Sequence, residues 1–436
     1  MNGYYLELAL QNLRRHVWLT GLIVLAISLG LGSSMTVYSI LRAMAADPVA
    51  WKSDRLLTPQ IDNFGRDNRA NGSLPALLTY KDVVRLKQEA RARRQAGMFE
   101  IRVTVTGGDP DAVPVLAEGR ATHTDFFPMF DVPFREGRAW SAADDAARAN
   151  VVVLTRPLAE RLYAGGKAVG QTLRVENKDY RVVGVTEKWE PSPRFYDVGP
   201  NGGAAYDLPA QLFIPFETAV ERAIESSGSI TCKVFGGNRE VFLNSECIWT
   251  QYWMEAETVA DVPKLRDYLH AYAVEQQRAG RFSFVPETAL HTVPEWLALL
   301  KVAPDQVRVA TWVSLGFLLV CLVNAMALML ARSSRRAGEY SLRRALGASR
   351  RHLFLQGIWE SLLVGVVGGV VGLLWTALGL GGLRGLVPDA IVKTTELQPA
   401  VLGLTMLVAI AATVLAGLYP AWRAARTAGA LRLKSL

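Results

Sequence analysis

Apolar positions gather into four long stretches: roughly Trp18–Leu41, Val309–Ala331, Leu353–Leu380 and Leu397–Leu418. Each reaches the about 20 mostly apolar residues that a helix needs to cross a bilayer. Between the first and second, over residues 42–308, the pattern breaks into short runs. Phe99–Thr106 alternates apolar and polar positions as a half-buried strand does. The turn at Asp109-Pro110-Asp111 leads into a second strand over Ala112–Ala117, giving a hairpin. Asn150–Leu154 reads as a short buried strand. Thr155 is placed to cap a helix entered through Arg156-Pro157 that carries Leu158, Leu162 and Tyr163. Thr172–Val175 and Tyr180–Val185 predict another hairpin, and Cys247–Ala256 a strand. Val262–Gln277 predicts a helix with Leu265, Tyr268, Leu269 and Tyr272 on one face. A helix bearing Trp296, Leu297, Leu299 and Leu300 is expected to run on into the second span as a stalk. The predicted class is an α+β membrane protein: four transmembrane helices with a large external mixed α/β domain between the first and second.

Two stretches depart from this pattern. Residues 1–17 place Tyr5, Leu8, Ala9 and Leu13 on one face, as a helix lying along the inner membrane surface would. Residues of about 190–245 are turn-rich and polar, broken only by Leu212–Phe216, and suggest an inserted subdomain. Trp189, Phe195, Tyr196 and Tyr206 are its expected small core, or a surface for substrate or partner.

Charge sets the topology. The formal net charge is +8, and arginines collect at the edges of the apolar stretches: Arg14/Arg15, the 332–351 group, and Arg423/Arg426/Arg432 with Lys434. Basic residues in short loops beside spanning helices stay cytoplasmic. The N-terminus (1–17), the 332–352 connector and the 419–436 tail therefore belong on the cytoplasmic side, and 42–308 and the short 381–396 loop on the other. The same distribution argues against nucleic-acid binding, because the basic residues form no single groove. No small-x-small cleavage site ends the first span, which is expected to remain as an anchor.

Chemistry is sparse. His16, His123, His270, His291 and His352 have no metal-ligand spacing, and neither a Walker A sequence nor a G-x-S-x-G elbow occurs. No catalytic, metal or cofactor site is expected in this chain. Cys321 lies inside an apolar stretch as a small apolar residue. Cys232 and Cys247 close a short loop, and in an oxidising compartment they are plausible disulfide partners; two free thiols are the alternative. Gly365/Gly369 and Gly368/Gly372 place small residues four apart, as do Ser28/Gly32 and Gly30/Ser34. That spacing suits close helix packing, within one subunit or across a dimer.

The segment from Asn324 to Gly372 carries most information. Seven arginines (332, 335, 336, 343, 344, 350 and 351) crowd between two spans, with Glu339 the only acid among them. Gly347 can supply the left-handed residue that ends a helix, and Ser349 can cap the next. Leu342, Ala345 and Leu346 offer an apolar knob. By spacing alone the connector fits a surface helix held by anionic lipid as well as a contact with a partner protein.

This segment resembles the permease subunits of MacB/FtsX-type ABC transporters, whose second span ends in a basic run followed by a helix reading roughly R-E-I-G-x-R-R-A-L-G-A-S. Here it reads Arg336-Ala-Gly-Glu339-Tyr340-Ser341-Leu342-Arg343-Arg344-Ala345-Leu346-Gly347-Ala348-Ser349. Glu360-Ser361, the glycine-rich 365–372 and the ending Pro420-Ala421-Trp422-Arg423-Ala424-Ala425-Arg426 are similar to further family features, as are 150–187 and the turn in Arg135–Arg138. Gly338-Glu339-Tyr340-Ser341 departs from the usual E-I-G, and about 190–245 has no family pattern. The resemblance implies a non-catalytic subunit in the bacterial inner membrane, with ATP and Mg²⁺ bound by a separate ATP-binding cassette ATPase. It implies ATPase coupling through Glu339, Leu342, Arg343, Ala345, Leu346 and Gly347. A second permease subunit, as homo- or heterodimer, and a periplasmic membrane-fusion protein are further implied partners. The implied output is mechanotransmission for export of a peptide, antibiotic, siderophore or lipoprotein. An FtsX-like regulator of a periplasmic hydrolase and an antimicrobial-peptide sensing or resistance permease are the alternatives.

Overall fold

The computed structural model describes residues 7, 11, 15, 17–69, 72–107, 113–164, 166–199, 205–234, 236–383, 391 and 399–426. Most of the expected 1–17 helix, the Asp109–Asp111 turn, the 381–396 loop beyond residue 383 (except residue 391) and the tail beyond 426 lie outside the described residues. The chain forms two compact units, one of residues 46–302 and one of residues 1–45 with 303–436.

The 46–302 unit is built on one mixed sheet. Its strands are β1 (Leu56–Ile61), β2 (Leu78–Thr79), β3 (Arg94–Thr106), β4 (Val115–Thr122), β5 (Phe134–Gly137), β6 (Val151–Thr155), β7 (Thr172–Val175), β8 (Lys178–Thr186), β9 (Leu212–Pro215), β10 (Ile248–Glu255) and β11 (Thr288–Thr292). They run in the order β11-β1-β10-β3-β4-β9-β6-β8-β5, with β2 on β10 and β7 bridging β3 and β8. The pairs β4–β9 and β6–β8 are parallel, and the others are antiparallel. Alternation along β3 sends Phe99, Ile101, Val103 and Val105 to one core and Ala96 and Met98 to the other. In β6 and β9 both faces are covered, so VVVL and LFIP are continuous apolar runs with no period.

Several expectations change here. The second strand of the first hairpin is Val115–Thr122 rather than Ala112–Ala117, because register pairs Val105 with Val115 and continues to Met98 with Thr122. Its polar Glu118 and Arg120 hid it from a pattern search. Thr155 precedes the Arg156–Leu162 helix but does not cap it; its hydroxyl donates to the Gln211 carbonyl at 3.0 Å. The inserted 190–245 subdomain is not a separate lobe. Its apolar run becomes β9 between β4 and β6, and Phe195 and Tyr196 pack edge-on against Phe126, Phe130 and Trp253 in the main core. Burying that much aromatic area alone is beyond a short polar segment, whereas the sheet supplies the other wall.

Two longer helices flank the sheet. Helix α2 (Tyr80–Glu89) is capped by Thr79, whose side chain accepts from the Asp82 amide. Helix α3 (Val262–Arg278) buries Leu265, Leu269 and Tyr272, with Tyr268 partly covered. The helix carrying Trp296 stops at Leu299, Lys301 is left-handed (φ 52°), and the next helix starts after Pro304. No continuous stalk forms, since the left-handed Lys301 ends the first helix, its amide turning back to the Ala298 carbonyl at 3.1 Å. Helix α1 (Val17–Met44) precedes this unit in sequence.

In the other unit α1 joins α4 (Asp305–Arg335), the short α5 (Ala337–Ala345), α6 (Arg350–Gly382) and α7 (Pro399–Arg426). Helices α1, α4, α6 and α7 are long and apolar enough to cross a membrane. Helix α6 is central, packing against both α1 and α7, while α4 packs against α1.

Candidate functional site: the basic connector

The small-residue stripes explain the bundle's order. On α6 an added Cβ at Gly369 would lie 2.8 Å from Met406 Sδ of α7, and Gly365 approaches Ile410 and Thr413 of the same helix. An added Cβ at Gly372 would lie 2.8 Å from Leu31 of α1, and one at Gly368 lies 3.3 Å from Ile27. One stripe thus admits α7 and the other α1, so both serve packing within the chain. Helix α1 repeats the device: Gly30 faces Cys321 of α4, Ser34 donates to the Ser314 carbonyl at 2.7 Å, and Gly32 faces α6. With no water to expel between apolar faces, close backbone approach and such hydrogen bonds hold membrane helices together.

At the connector end the sequence builds a sharp corner. Helix α5 closes with the Ala348 amide on the Arg343 carbonyl and the Gly347 amide on Arg344, at 3.0 and 3.1 Å. This is the Schellman arrangement that wants a left-handed residue, and Gly347 has φ 99°. Ser349 then caps α6, its side chain accepting from the His352 amide. Tyr340 anchors the inner face of α5 against Leu353 of α6 and Ala425 of α7. Leu342 and Leu346 on the outer face are 62% and 80% exposed, and Ala345 beside them is exposed as well.

Part of the connector's charge is paired against the bundle. Glu339 pairs with Arg336 at 3.1 Å and Arg343 at 2.7 Å, and Arg343 donates to Gln356 of α6 at 3.1 Å. Arg336 reaches Glu360 of α6 at 3.2 Å, and Arg332 at the end of α4 lies 3.8 Å from the same carboxylate. Sequence reading placed Glu339 and Arg343 with the exposed knob; the structure turns them inward and leaves Leu342, Ala345 and Leu346 outward. It missed Arg332, Arg336 and Glu360 as a network. The signal was present, since a glutamate inside an apolar stretch needs a partner. A cavity of about 50 Å³ opens here, lined by Arg332, Arg336, Tyr340, Glu360, Ser361 and Pro420 among others.

The sheet domain holds a second charged cluster. Arg120 of β4, 1% exposed, pairs with Asp197, which also accepts from Arg194 at 2.9 Å and Gln251 at 2.7 Å. Burial alone would raise the Asp197 carboxyl, but the Arg120 and Arg194 charges outweigh it and hold it low. Glu100 of β3, 3.2 Å from Arg194, is pushed up to about 7 by burial and by Asp197. Cys232 and Cys247 form a disulfide. Just upstream of Cys232, the Ser227 amide donates to the Glu100 carbonyl at 3.0 Å. Among the described residues no cluster of His, Cys, Asp or Glu could hold a metal ion. His123 is buried on Phe216, accepts from the Gly97 amide at 3.1 Å, and is pushed down to about 3 by burial.

Four membrane-length helices, a mixed α/β domain spliced between the first two and a cornered basic connector are the architecture of a multi-span membrane protein. The MacB-like periplasmic core domain family matches residues 20–272, over half of the chain, and the FtsX-like permease C-terminal family matches residues 312–428. The chain belongs to the MacB/FtsX-type ABC transporter permeases. It is 25% identical over 381 residues to the macrolide export ATP-binding/permease protein MacB 1/2 of Paracoccus denitrificans, covering 86% of this chain and 50% of that protein. It is 24% identical over 436 residues to the pyoverdine export ATP-binding/permease protein PvdT of Pseudomonas fluorescens, covering 97% and 58%. The chain spans about half the length of the curated relatives it matches. The periplasmic region of MacB from Actinobacillus actinomycetemcomitans is similar at 14% identity and a TM-score of 0.37, over 57% of this chain and 94% of that one.

Proposed function

We propose that this chain is the permease subunit of a MacB-like transporter of the bacterial inner membrane, with both termini cytoplasmic. An ABC ATPase binding ATP and Mg²⁺ docks on α5, and its closure is passed through the bundle to the sheet domain, which lies in the periplasm. A second permease subunit completes the complex, and a membrane-fusion protein extends it outward. The proposed substrate is an antibiotic, siderophore, peptide or lipoprotein; relatives named for macrolide and pyoverdine export support export of a small molecule.

The observation that carries this reading is the division of α5 into two faces. Tyr340, Glu339 and Arg343 fasten it to the bundle, while Leu342, Ala345 and Leu346 are left uncovered by the described chain. The test is Leu346→Asp in full-length protein purified from native membranes. Because removing an apolar anchor from an interface centre is costly, ATPase capture should fall about tenfold or more while membrane insertion is unchanged. Undiminished capture and vanadate-sensitive turnover would remove α5 from the docking surface.

A further inference from the structure

Glu360 closes a ring of polar contacts that no local pattern announces. Its carboxylate accepts from Arg336 at 3.2 Å and from Gln356 at 3.3 Å. Gln356 accepts from Arg343 at 3.1 Å, Arg343 donates to Glu339 at 2.7 Å, and Glu339 returns to Arg336 at 3.1 Å. Arg332 reaches the same carboxylate at 3.8 Å and Thr20 of α1 at 3.4 Å. The ring therefore ties the end of α4, both ends of α5, the first turns of α6 and the start of α1. It is also largely shielded, with Arg332 and Arg336 side chains 7% and Glu360 13% exposed.

We propose that Glu360 is a positioning residue that locks α5 to α4 and α6, so that a push on the exposed Leu342/Leu346 face moves the spans rather than bending the corner. The argument is mechanical. Helix α5 is nine residues long and is joined to α6 by a glycine-containing turn. So short a helix is marginal by itself and takes its rigidity from tertiary contacts. Its apolar anchor includes Tyr340 with Leu353 and Ala425; the polar ring is a further attachment. Three arginines (332, 336 and 343) face two carboxylates (339 and 360), and only Glu360 comes from outside the α4–α5 run. Removing its charge leaves two shielded guanidiniums facing each other, so the corner opens.

This inference rests on the ATPase-coupling reading, and hydrogen–deuterium exchange of the full-length protein in lipid nanodiscs separates the two. In Glu360→Gln, α5 amides should exchange about tenfold or more faster than in wild type, as local opening predicts. The conservative Glu360→Asp, which keeps the charge, should retain most of the protection. In complexes carrying the co-purified ATPase, vanadate trapping with ATP should change exchange in residues 46–302 of wild type. Glu360→Gln should retain the ATPase yet lose that change, whereas a merely structural defect would lower capture and change together. Unaltered α5 exchange in Glu360→Gln, or an intact vanadate response, overturns the proposal. Wild type that captures no ATPase would defeat the coupling reading, while the exchange of α5 still decides whether Glu360 is the lock.

Discussion

The sheet domain and the helix bundle each contain a shielded arginine–carboxylate network, and they are built for different ends. In the sheet domain Arg120, Arg194, Asp197 and Glu100 balance two charges against two and are walled in by Tyr196, over whose ring Arg120 lies at 5.1 Å. Arg194 also donates to the Leu208 carbonyl at 2.7 Å, so the network fastens the 194–208 loop to the sheet. In the bundle the ring around Glu360 carries one surplus arginine and lies behind a helix whose opposite face is exposed leucine. One network fixes a loop in a core, and the other fixes a lever to its support. The same chemistry gives rigidity in both places; what differs is whether anything exposed is attached to the rigid part.

That difference can be tested, starting with the largest effect. Arg120→Met should cost the sheet domain about 3–5 kcal/mol in denaturant unfolding, because Asp197 is left buried with fewer counter-charges. Its vanadate response per folded molecule should survive, unlike that of Glu360→Gln; loss of that response at preserved folding would erase the distinction. Replacing both Cys232 and Cys247 by serine should cost about 3 kcal/mol by the chain-entropy account of a short closed loop. The change acts next to Gly228, which lies beside the Glu100 carboxylate. Alkylation of denatured, unreduced protein should label neither cysteine.

The smallest effect concerns pH. Glu100 has a raised folded-state value of about 7, so it favours the folded state at low pH and that contribution is lost as pH rises from about 4.5 through 7. Asp145, pushed up to about 6 by burial, acts in the same sense. His123, pushed down to about 3, acts oppositely: its contribution is present above about 6.5 and lost as pH falls. Glu100→Gln should therefore steepen the loss of stability below pH about 6.5 and flatten the slope toward pH about 7, read as melting temperature against pH. A profile parallel to wild type would place Glu100's titration elsewhere.

Much of this protein was legible in order along the chain. The four apolar stretches fixed the spans through length alone, the arginines marked the connector, and Gly347 and Ser349 marked its corner, because each depends on residues within one or two turns. Stretches with one buried face, such as β7 and the second half of β3, were legible through their alternation. The loop cysteines were close enough in sequence to suggest their bond. Partners distant in sequence were not legible. Nothing near Leu212–Pro215 says that it lies between β4 and β6, and nothing near Arg120 says that Asp197, 77 positions on, will neutralise it. Glu360 looked like an edge residue until α5 folded back and brought Arg336 to it across 24 positions. The sequence by itself determined which segments enter the membrane and where the chain turns, since these follow from local hydrophobicity and backbone preference. Only the tertiary structure decided which charges are buried, because burying a charge is tolerable only where a distant segment supplies its counter-charge.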